Sequence, residues 1–361
     1  MSSRAEALEE QRGQIELTFC QECAFVWNSR FDNDLLAYSP RYEETKACSE
    51  TFAEYDTVFA KGLIERYNLK GKTVLEIGCG KGKFLQTLSK LADIKGIGID
   101  PSYIPERNHA HTNLKFIREL FSEKHTSIAS DLICCKMTLE HITDVENFVS
   151  LVRKAAPRDR GIPIVFQVPN FAWTLEHFAF WDIYYEHCSY FTELSLGRLF
   201  RNCGYQVLRI YSDYGDQYLT IEAEASREPR AVQDDSFGTD LRRVKDHIET
   251  FTNGCEGKKT KWTETLAEAK RKSQRVVLWG AASKAITFLN VVPGGEHIEY
   301  TVDINPHRQS TFLPGTGAKI QPPSFLVDYR PDLVIVANPI YYNEIFKSLN
   351  DMGVKTRVDC L

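Results

Sequence analysis

Val74-Leu75-Glu76-Ile77-Gly78-Cys79-Gly80-Lys81-Gly82, with the run Gly96-Ile97-Gly98-Ile99-Asp100 that follows it, decides how this 361-residue chain reads. The first stretch is apolar and ends in three glycines spaced two apart. Glycine accepts φ > 0 and allows close approach to the backbone, so this pattern marks a strand entering a tight turn. Phe84, Leu85, Leu88 and Leu91 then recur at helical spacing. The second run ends in Asp100, 22 residues after Gly78. That is where a strand–helix–strand unit places an acid able to accept the hydroxyls of a ribose. The unit reads as a site for a nucleotide-type cofactor, with a plain tight turn as the bland alternative.

Outward from this unit the alternation continues. Phe52, Tyr55, Phe59, Leu63 and Tyr67 predict a helix over 47–68. DLICCKM (131–137) and PIVFQVP (163–169) read as strands around a helix at 145–156. A helix and further strand material run through GDQYLTIEAEAS (215–226). Such alternation predicts a parallel sheet with helical crossovers. Residues 226–273 are highly charged with sparse apolar positions, which predicts one or two exposed linking helices. A second alternation follows: strand RVVLWG, helix SKAITFLNVV, strands IEYTVD and DLVIVANP. Residues 1 to about 45 read as irregular.

Hydrophobic residues at 43% and charged residues at 26% are those of a globular chain. A net charge of −5 gives no broad basic face for nucleic acid or an anionic membrane. No run approaches the roughly 20 apolar residues of a membrane span, and MSSRAEALEEQRGQIEL lacks a secretory core. The expectation is a cytoplasmic protein without nucleic-acid or membrane partners. The ten cysteines, several inside apolar runs, are expected to be mostly reduced and buried. Only Cys20 and Cys23 have metal-ligand spacing. A structural zinc site wants four ligands; Cys48 offers a third and no fourth is evident, so no metal is assigned.

Glu76 separates the cofactor readings. E-x-G-x-G-x-G with a later strand-end acid resembles the signature of class I S-adenosylmethionine-dependent methyltransferases, rather than an NAD loop. The resemblance implies that Glu76, Gly78, Gly80 and Gly82 hold the methionine end of S-adenosyl-L-methionine, and Asp100 its ribose. It places Phe116-Ile117-Arg118-Glu119, and so Glu119, where that family meets adenine. Cys135-Lys136-Met137-Thr138-Leu139-Glu140-His141, with Lys136, resembles the post-strand segment that lines the cofactor pocket.

Two segments stand out as a candidate active site: Gln167-Val168-Pro169-Asn170 at a strand end, and Phe180-Trp181-Asp182-Ile183-Tyr184-Tyr185-Glu186-His187-Cys188-Ser189-Tyr190-Phe191. Loops at the carboxyl ends of parallel strands line the ligand crevice. A histidine accepts a proton near neutral pH, and a neighbouring carboxylate or phenol can orient it. The residues alone leave His187 open between such a base and a hydrogen-bonded histidine under aromatic packing. The run Y-Y-E-H-x-S-Y-F, the glycine loop and the tail GAASKAITFLN…VDINPHRQSTFLPGTGAKIQPP…PDLVIVANPIY together resemble nucleotide-sugar C-methyltransferases that act on 4-keto-deoxysugars. The resemblance covers residues 17–361. It implies that His187 removes the proton α to a ketone, with Tyr184 and Glu186 flanking the sugar. Asn170 and Tyr190 are expected on the substrate side, and Tyr38 and Tyr42 in the substrate wall or in packing. His141 and His177 are rival bases. That family's N-terminal domain carries two cysteine pairs; here the first is missing.

Leu278-Trp279-Gly280-Ala281-Ala282-Ser283-Lys284 repeats the strand–turn–helix pattern, with Asp303 ending the next strand. Alanines replace expected glycines, which argues against a second dinucleotide. The expectation is a structural or substrate-gripping unit in which Ser283 and Lys284, at a helix N-terminus, hold a phosphate of the nucleotide. A capping serine and a solvated lysine are the alternative.

The whole chain reads as α/β: a class I methyltransferase Rossmann-like parallel sheet, a second smaller Rossmann-like α/β domain and a short N-terminal segment. The expected divisions are 1–46, a remnant knuckle-like segment; 47–225, the cofactor-binding domain; 226–273, a helical linker; and 274–361, the substrate domain. The expected reaction is methyl transfer to carbon of a nucleotide-linked keto-deoxysugar, with O- or N-methylation of another small molecule as the alternative. Subunit number is left open.

Overall fold

The computed structural model describes residues 1–36, 48–105, 112–157, 159, 161–226 and 237–361. Its larger sheet has seven strands: β1 (Thr73–Ile77), β2 (Lys95–Ile99), β3 (Leu114–Ile117), β4 (Leu132–Lys136), β5 (Pro163–Pro169), β6 (Tyr205–Asp213) and β7 (Tyr218–Ala225). They are ordered β3-β2-β1-β4-β5-β7-β6. The first five are parallel, and β7 runs antiparallel to both β5 and β6. The central strands β1 and β4 are apolar without alternation because helices cover both faces of the sheet.

Helices α1 (Glu50–Tyr67) and α2 (Lys83–Ala92) cover one face, where Phe59, Leu63, Phe84, Leu85 and Leu88 pack on Val74, Leu132 and Cys134. Ser49 caps α1, its hydroxyl accepting from the Phe52 amide, and Asn68 ends it in the left-handed conformation. Helices α3 (Val145–Ala155), α4 (Phe171–Glu176) and α5 (Glu193–Asn202) follow β4 and β5. Residues of α3 and α5 pack on the other face, with Leu75, Ile77, Ile133 and Phe166.

Residues 237–271 of the segment after Ser226 are helical but not exposed along their whole length. They form a single 35-residue helix, α6 (Phe237–Arg271). It buries Val244, Trp262, Leu266 and Ala269. Its polar composition hid this, because only a few widely spaced apolar residues make the contacts. Trp262 and Leu266 pack on the second sheet's cluster, while Ile248 and Phe251 reach the patch around Phe171, Leu175 and Tyr190.

The second sheet has five parallel strands, β8 (Val276–Trp279), β9 (Tyr300–Val302), β10 (Lys319–Gln321), β11 (Leu333–Val336) and β12 (Arg357–Cys360). Their order is β10-β9-β8-β11-β12, with α7 (Ser283–Val291) and α8 (Tyr342–Asp351) among the helices beside them. Ala179 and Trp181, from the aromatic run after α4, share one buried cluster with Ala281, Ala285 and Phe288 of this unit. Trp181 is 1% exposed, and burying such a side chain contributes about 1.5–3 kcal/mol.

The N-terminus is not irregular. Ser3 caps a helix at Arg4–Glu9, and Phe312 and Gly315 of the second unit donate to the carbonyls of Met1 and Ala7. Leu17–Phe19 and Val26–Asn28 form a hairpin, and Ser189–Tyr190 adds to it as a third antiparallel strand. Three-residue strands carry too little alternation to be read in advance. Among the described residues, no helix is long and apolar enough to cross a membrane.

Candidate active site

The glycine loop joins β1 to α2. Gly78, Gly80 and Gly82 have φ of +71°, +51° and +77°, a region that side chains with a Cβ rarely adopt. A Cβ at Gly78 would lie 1.9 Å from Thr138 Oγ1, and one at Gly82 would lie 2.5 Å from the Phe116 ring. The loop is thus closed against β3 and the segment following β4. The Gly80 amide donates to Asp100 Oδ2 at 2.8 Å, and the Ser102 amide and hydroxyl each donate to Oδ1 at 2.7 Å. A carboxylate offers about four acceptor sites, so Asp100 keeps capacity for a further hydroxyl. Tyr103 stacks on Phe116 with ring centroids 4.3 Å apart.

Glu76 is buried beneath the loop. Its carboxyl accepts from the Leu85 amide of α2, while Oε2 has no hydrogen-bond partner. Burial pushes its pKa up to about 8, against the pull of Lys136. Lys136 itself points to the α1 side: its ammonium pairs with Asp56 at 2.7 Å and lies 3.6 Å from the Phe84 ring centroid. Glu119, just past β3, is exposed and pairs with Lys124 at the surface and with the buried His125. Glu76, Gly78, Gly80, Gly82 and Asp100 therefore form one continuous unit. Lys136 contributes charge to it from behind, and Glu119 is engaged elsewhere.

From this unit the structure leads directly to the histidines. Thr138, packed against Gly78, begins a turn that carries Glu140 and His141. Met137 enters it at φ +50°, unusual for a non-glycine residue and held by its amide bonding the Gln167 carbonyl at 2.7 Å. The turn is bonded to the aromatic run. The Cys188 amide donates to the Glu140 carbonyl, the Ser189 hydroxyl to the Ile142 carbonyl, and His141 Nδ1 lies 2.8 Å from the Glu186 carbonyl oxygen.

These bonds bring His187 Nε2 to 4.0 Å from Glu140 Oε1. The His187 ring lies 4.9 Å from that of His141 and 4.0 Å from that of Tyr184. His187 is 6% exposed and Glu140 1%. Glu186 is half-buried, and burial holds its carboxyl above the usual range. Tyr190 is buried, with its hydroxyl donating to the Tyr184 carbonyl at 3.4 Å. Its phenol is pushed up by burial.

Sequence reasoning missed Glu140 as a neighbour of His187. The signal was the repeated Glu-His dipeptide, at 140–141 and again at 186–187. Two further copies stay apart: in Glu176-His177, His177 stacks on Trp173 with Nδ1 against the Trp173 carbonyl, and Glu296-His297 lies in the second unit.

The remaining expected residues have structural engagements. Asn170 caps α4, accepting from the Ala172 amide and donating to the Asp216 carbonyl. Lys284 pairs with Asp182 of the aromatic run rather than standing solvated. Ser283 is the first residue of α7, and Ala282, not Ser283, occupies the cap. Cys20 and Cys23 lie in the hairpin turn and join no group of three metal-ligating side chains among the described residues. Tyr38 and Tyr42 lie outside the described residues.

Two family models match the chain: a methyltransferase domain over residues 52–210 and a C-methyltransferase C-terminal domain over 225–356. The chain is an S-adenosylmethionine-dependent methyltransferase. The unpartnered oxygen of buried Glu76 and the remaining acceptor capacity of Asp100 fit a cofactor that carries an ammonium group and a ribose.

No curated protein matches this methyltransferase in sequence. Among solved structures it is similar to a putative S-adenosylmethionine-dependent methyltransferase from Listeria monocytogenes (15% identity, 48% of this chain and 100% of that one, TM-score 0.38). It is also similar to magnesium protoporphyrin IX methyltransferase from Synechocystis PCC 6803 with bound S-adenosylhomocysteine (14%, 49% and 84%, TM-score 0.38). A third is the CurJ carbon methyltransferase (16%, 55% and 62%, TM-score 0.39).

Proposed function

We propose that this methyltransferase acts on a carbon atom of a nucleotide-linked keto-deoxysugar, and that His187 generates the nucleophile. The observation that carries the reading is the buried contact of His187 with Glu140 and Tyr184, on a turn that begins against the glycine loop. The match of residues 225–356 to a C-methyltransferase C-terminal domain supports it.

Carbon is a poor nucleophile until an adjacent ketone acidifies its proton. His187 takes that proton, the carbon–hydrogen bond breaks, and its electron pair becomes the enolate whose carbon is the nucleophile. Glu140 carries a carboxylate that steadies the imidazolium formed. Tyr184 and Glu186 flank the sugar. Bound S-adenosylmethionine supplies an electrophilic methyl group, and Glu76, Gly78, Gly80, Gly82 and Asp100 are the residues that would hold it. Glu119 and Lys136 belong to this reading as outer contributors. Asn170, Tyr190, Ser283 and Lys284 shape the substrate side; the polar groups of Asn170, Tyr190 and Lys284 are already engaged within the protein. General base catalysis contributes about 10²–10⁴-fold, so His187→Asn is expected to lose at least about 10²-fold in rate.

The test uses methyl-labelled S-adenosylmethionine with a panel of nucleotide 4-keto-deoxysugars, the label being located by NMR. A new carbon–methyl bond supports the reading. A label found on oxygen or nitrogen overturns it in favour of O- or N-methylation.

A further inference from the structure

The two Glu-His dipeptides of the site form a group that the methyl-transfer reading does not fully use. One carboxylate oxygen of Glu140 and one nitrogen each of His141 and His187 lie within 4.8 Å of one another. No other such group of three His, Cys, Asp or Glu side chains occurs among the described residues.

Three observations go beyond proximity. The donors are two imidazoles and one carboxylate, a set suited to zinc and its first-row neighbours rather than to calcium or magnesium. His141 Nδ1 faces the Glu186 carbonyl oxygen at 2.8 Å. A carbonyl only accepts, so Nδ1 carries the proton and Nε2 keeps the lone pair, as in metal-ligating histidines. Finally, the two segments are already fastened by the bonds from Cys188 to Glu140 and from Ser189 to Ile142, so the group exists without an ion to organise it.

We propose that Glu140, His141 and His187 form a site for one divalent ion of the zinc class, and that occupation of this site inhibits the enzyme. Inhibition rests on the reading of His187 as the proton acceptor, because a neutral imidazole has one basic ring lone pair, which cannot hold an ion and take a proton at once. Zinc ligands sit about 2.0–2.2 Å from the metal, hence roughly 3.3 Å from each other. The group therefore closes by no more than about 1.5 Å, within reach of side-chain rotation. Three protein ligands leave a fourth position for water or a substrate oxygen.

The test begins with full-length enzyme freed of metal by chelation. Zinc chloride alone is titrated by calorimetry, with cobalt(II) as a visible-absorption probe of nitrogen and oxygen coordination. Deuterium exchange at the substrate α carbon is followed in parallel. The proposal expects one ion per chain, exchange falling as the site fills, and recovery on chelation. Glu140→Gln and, separately, His141→Gln should weaken binding at least about tenfold, while the double change Cys20→Ser, Cys23→Ser leaves it intact. Absence of stoichiometric binding, or binding untouched by both Glu140→Gln and His141→Gln, overturns the proposal. Exchange that rises with metal and falls on chelation overturns the inhibitory role. Failure of the underlying reading is recognised separately: metal-free His187→Asn would then exchange as fast as the unaltered enzyme.

Discussion

The glycine loop and the corresponding turn of the second sheet use one backbone device to opposite ends. In the first, the Gly80 amide donates to Asp100 Oδ2 at 2.8 Å and the Ser102 amide to Oδ1 at 2.7 Å. In the second, the Ala281 amide donates to Asp303 Oδ2 at 2.9 Å and the Asn305 amide to Oδ1 at 2.8 Å. The surroundings differ. The first turn has three left-handed glycines and a buried, partly unpartnered Glu76 beneath it. The second has one such glycine, Gly280, and Arg308 donates to the Ala281 carbonyl at 2.6 Å. Lys284, the second residue of its helix, is drawn to Asp182 of the aromatic run. A strand-end aspartate gripping the preceding turn is therefore a property of the fold. The first turn carries the three glycines and the buried acid that the proposed cofactor site needs; the second is held by protein contacts, Arg308 to the Ala281 carbonyl and Lys284 to Asp182.

Substitutions at equivalent places should separate the two. Gly78→Val forces a side chain against Thr138 at φ +71° and should abolish S-adenosylhomocysteine binding in calorimetry. Retained binding would break the comparison.

The next effect belongs to Glu76. Its folded-state pKa of about 8 exceeds the ordinary 4.5. Its contribution to cofactor-free stability is therefore fully present below about pH 4.5 and is lost as pH rises to about 8. Melting temperature across that window should decline less in Glu76→Gln than in the unaltered protein, and saturating S-adenosylhomocysteine should also flatten the decline. Parallel slopes would place the cost elsewhere.

In the second turn Gly280→Ala is strained by φ +110° and a 3.0 Å approach to the Ala337 Cβ. It should cost about 1–3 kcal/mol of stability, leaving cofactor affinity unchanged. A loss of affinity would show that the second turn shares the cofactor's role. Smallest is the Lys284–Asp182 pair, whose side chains are 22% and 14% exposed. A double-mutant cycle with Lys284→Met and Asp182→Asn should give coupling of about 1 kcal/mol. Lys284→Met alone raising KM without losing stability would instead favour the phosphate contact.

What could be read in advance follows from how the signals arise. β1, α2 and β2 were legible because buried parallel strands are continuous apolar runs and the glycines mark the turn. The edge strands β10 and β12 were not, since Lys319-Ile320-Gln321 and Arg357-Val358-Asp359-Cys360 have too few apolar residues to show a period. Helix α6 looked exposed because Trp262, Leu266 and Ala269 are diluted by charge. His187 could be singled out by its local run of aromatic and acidic residues. Its contact with Glu140 could not, because 46 residues intervene between Glu140 and His187, and no local pattern records that meeting. The engagement of Lys136 with Asp56 was hidden for the same reason.

The most direct test of the account is deuterium wash-in at the α carbon of a nucleotide 4-keto-deoxysugar, with S-adenosylhomocysteine in place so that no methyl can transfer. The account predicts wash-in by the unaltered enzyme and its loss, by at least about 10²-fold, in His187→Asn that still binds S-adenosylhomocysteine. Equal wash-in by the two proteins would contradict His187 as the group that makes the carbon nucleophile.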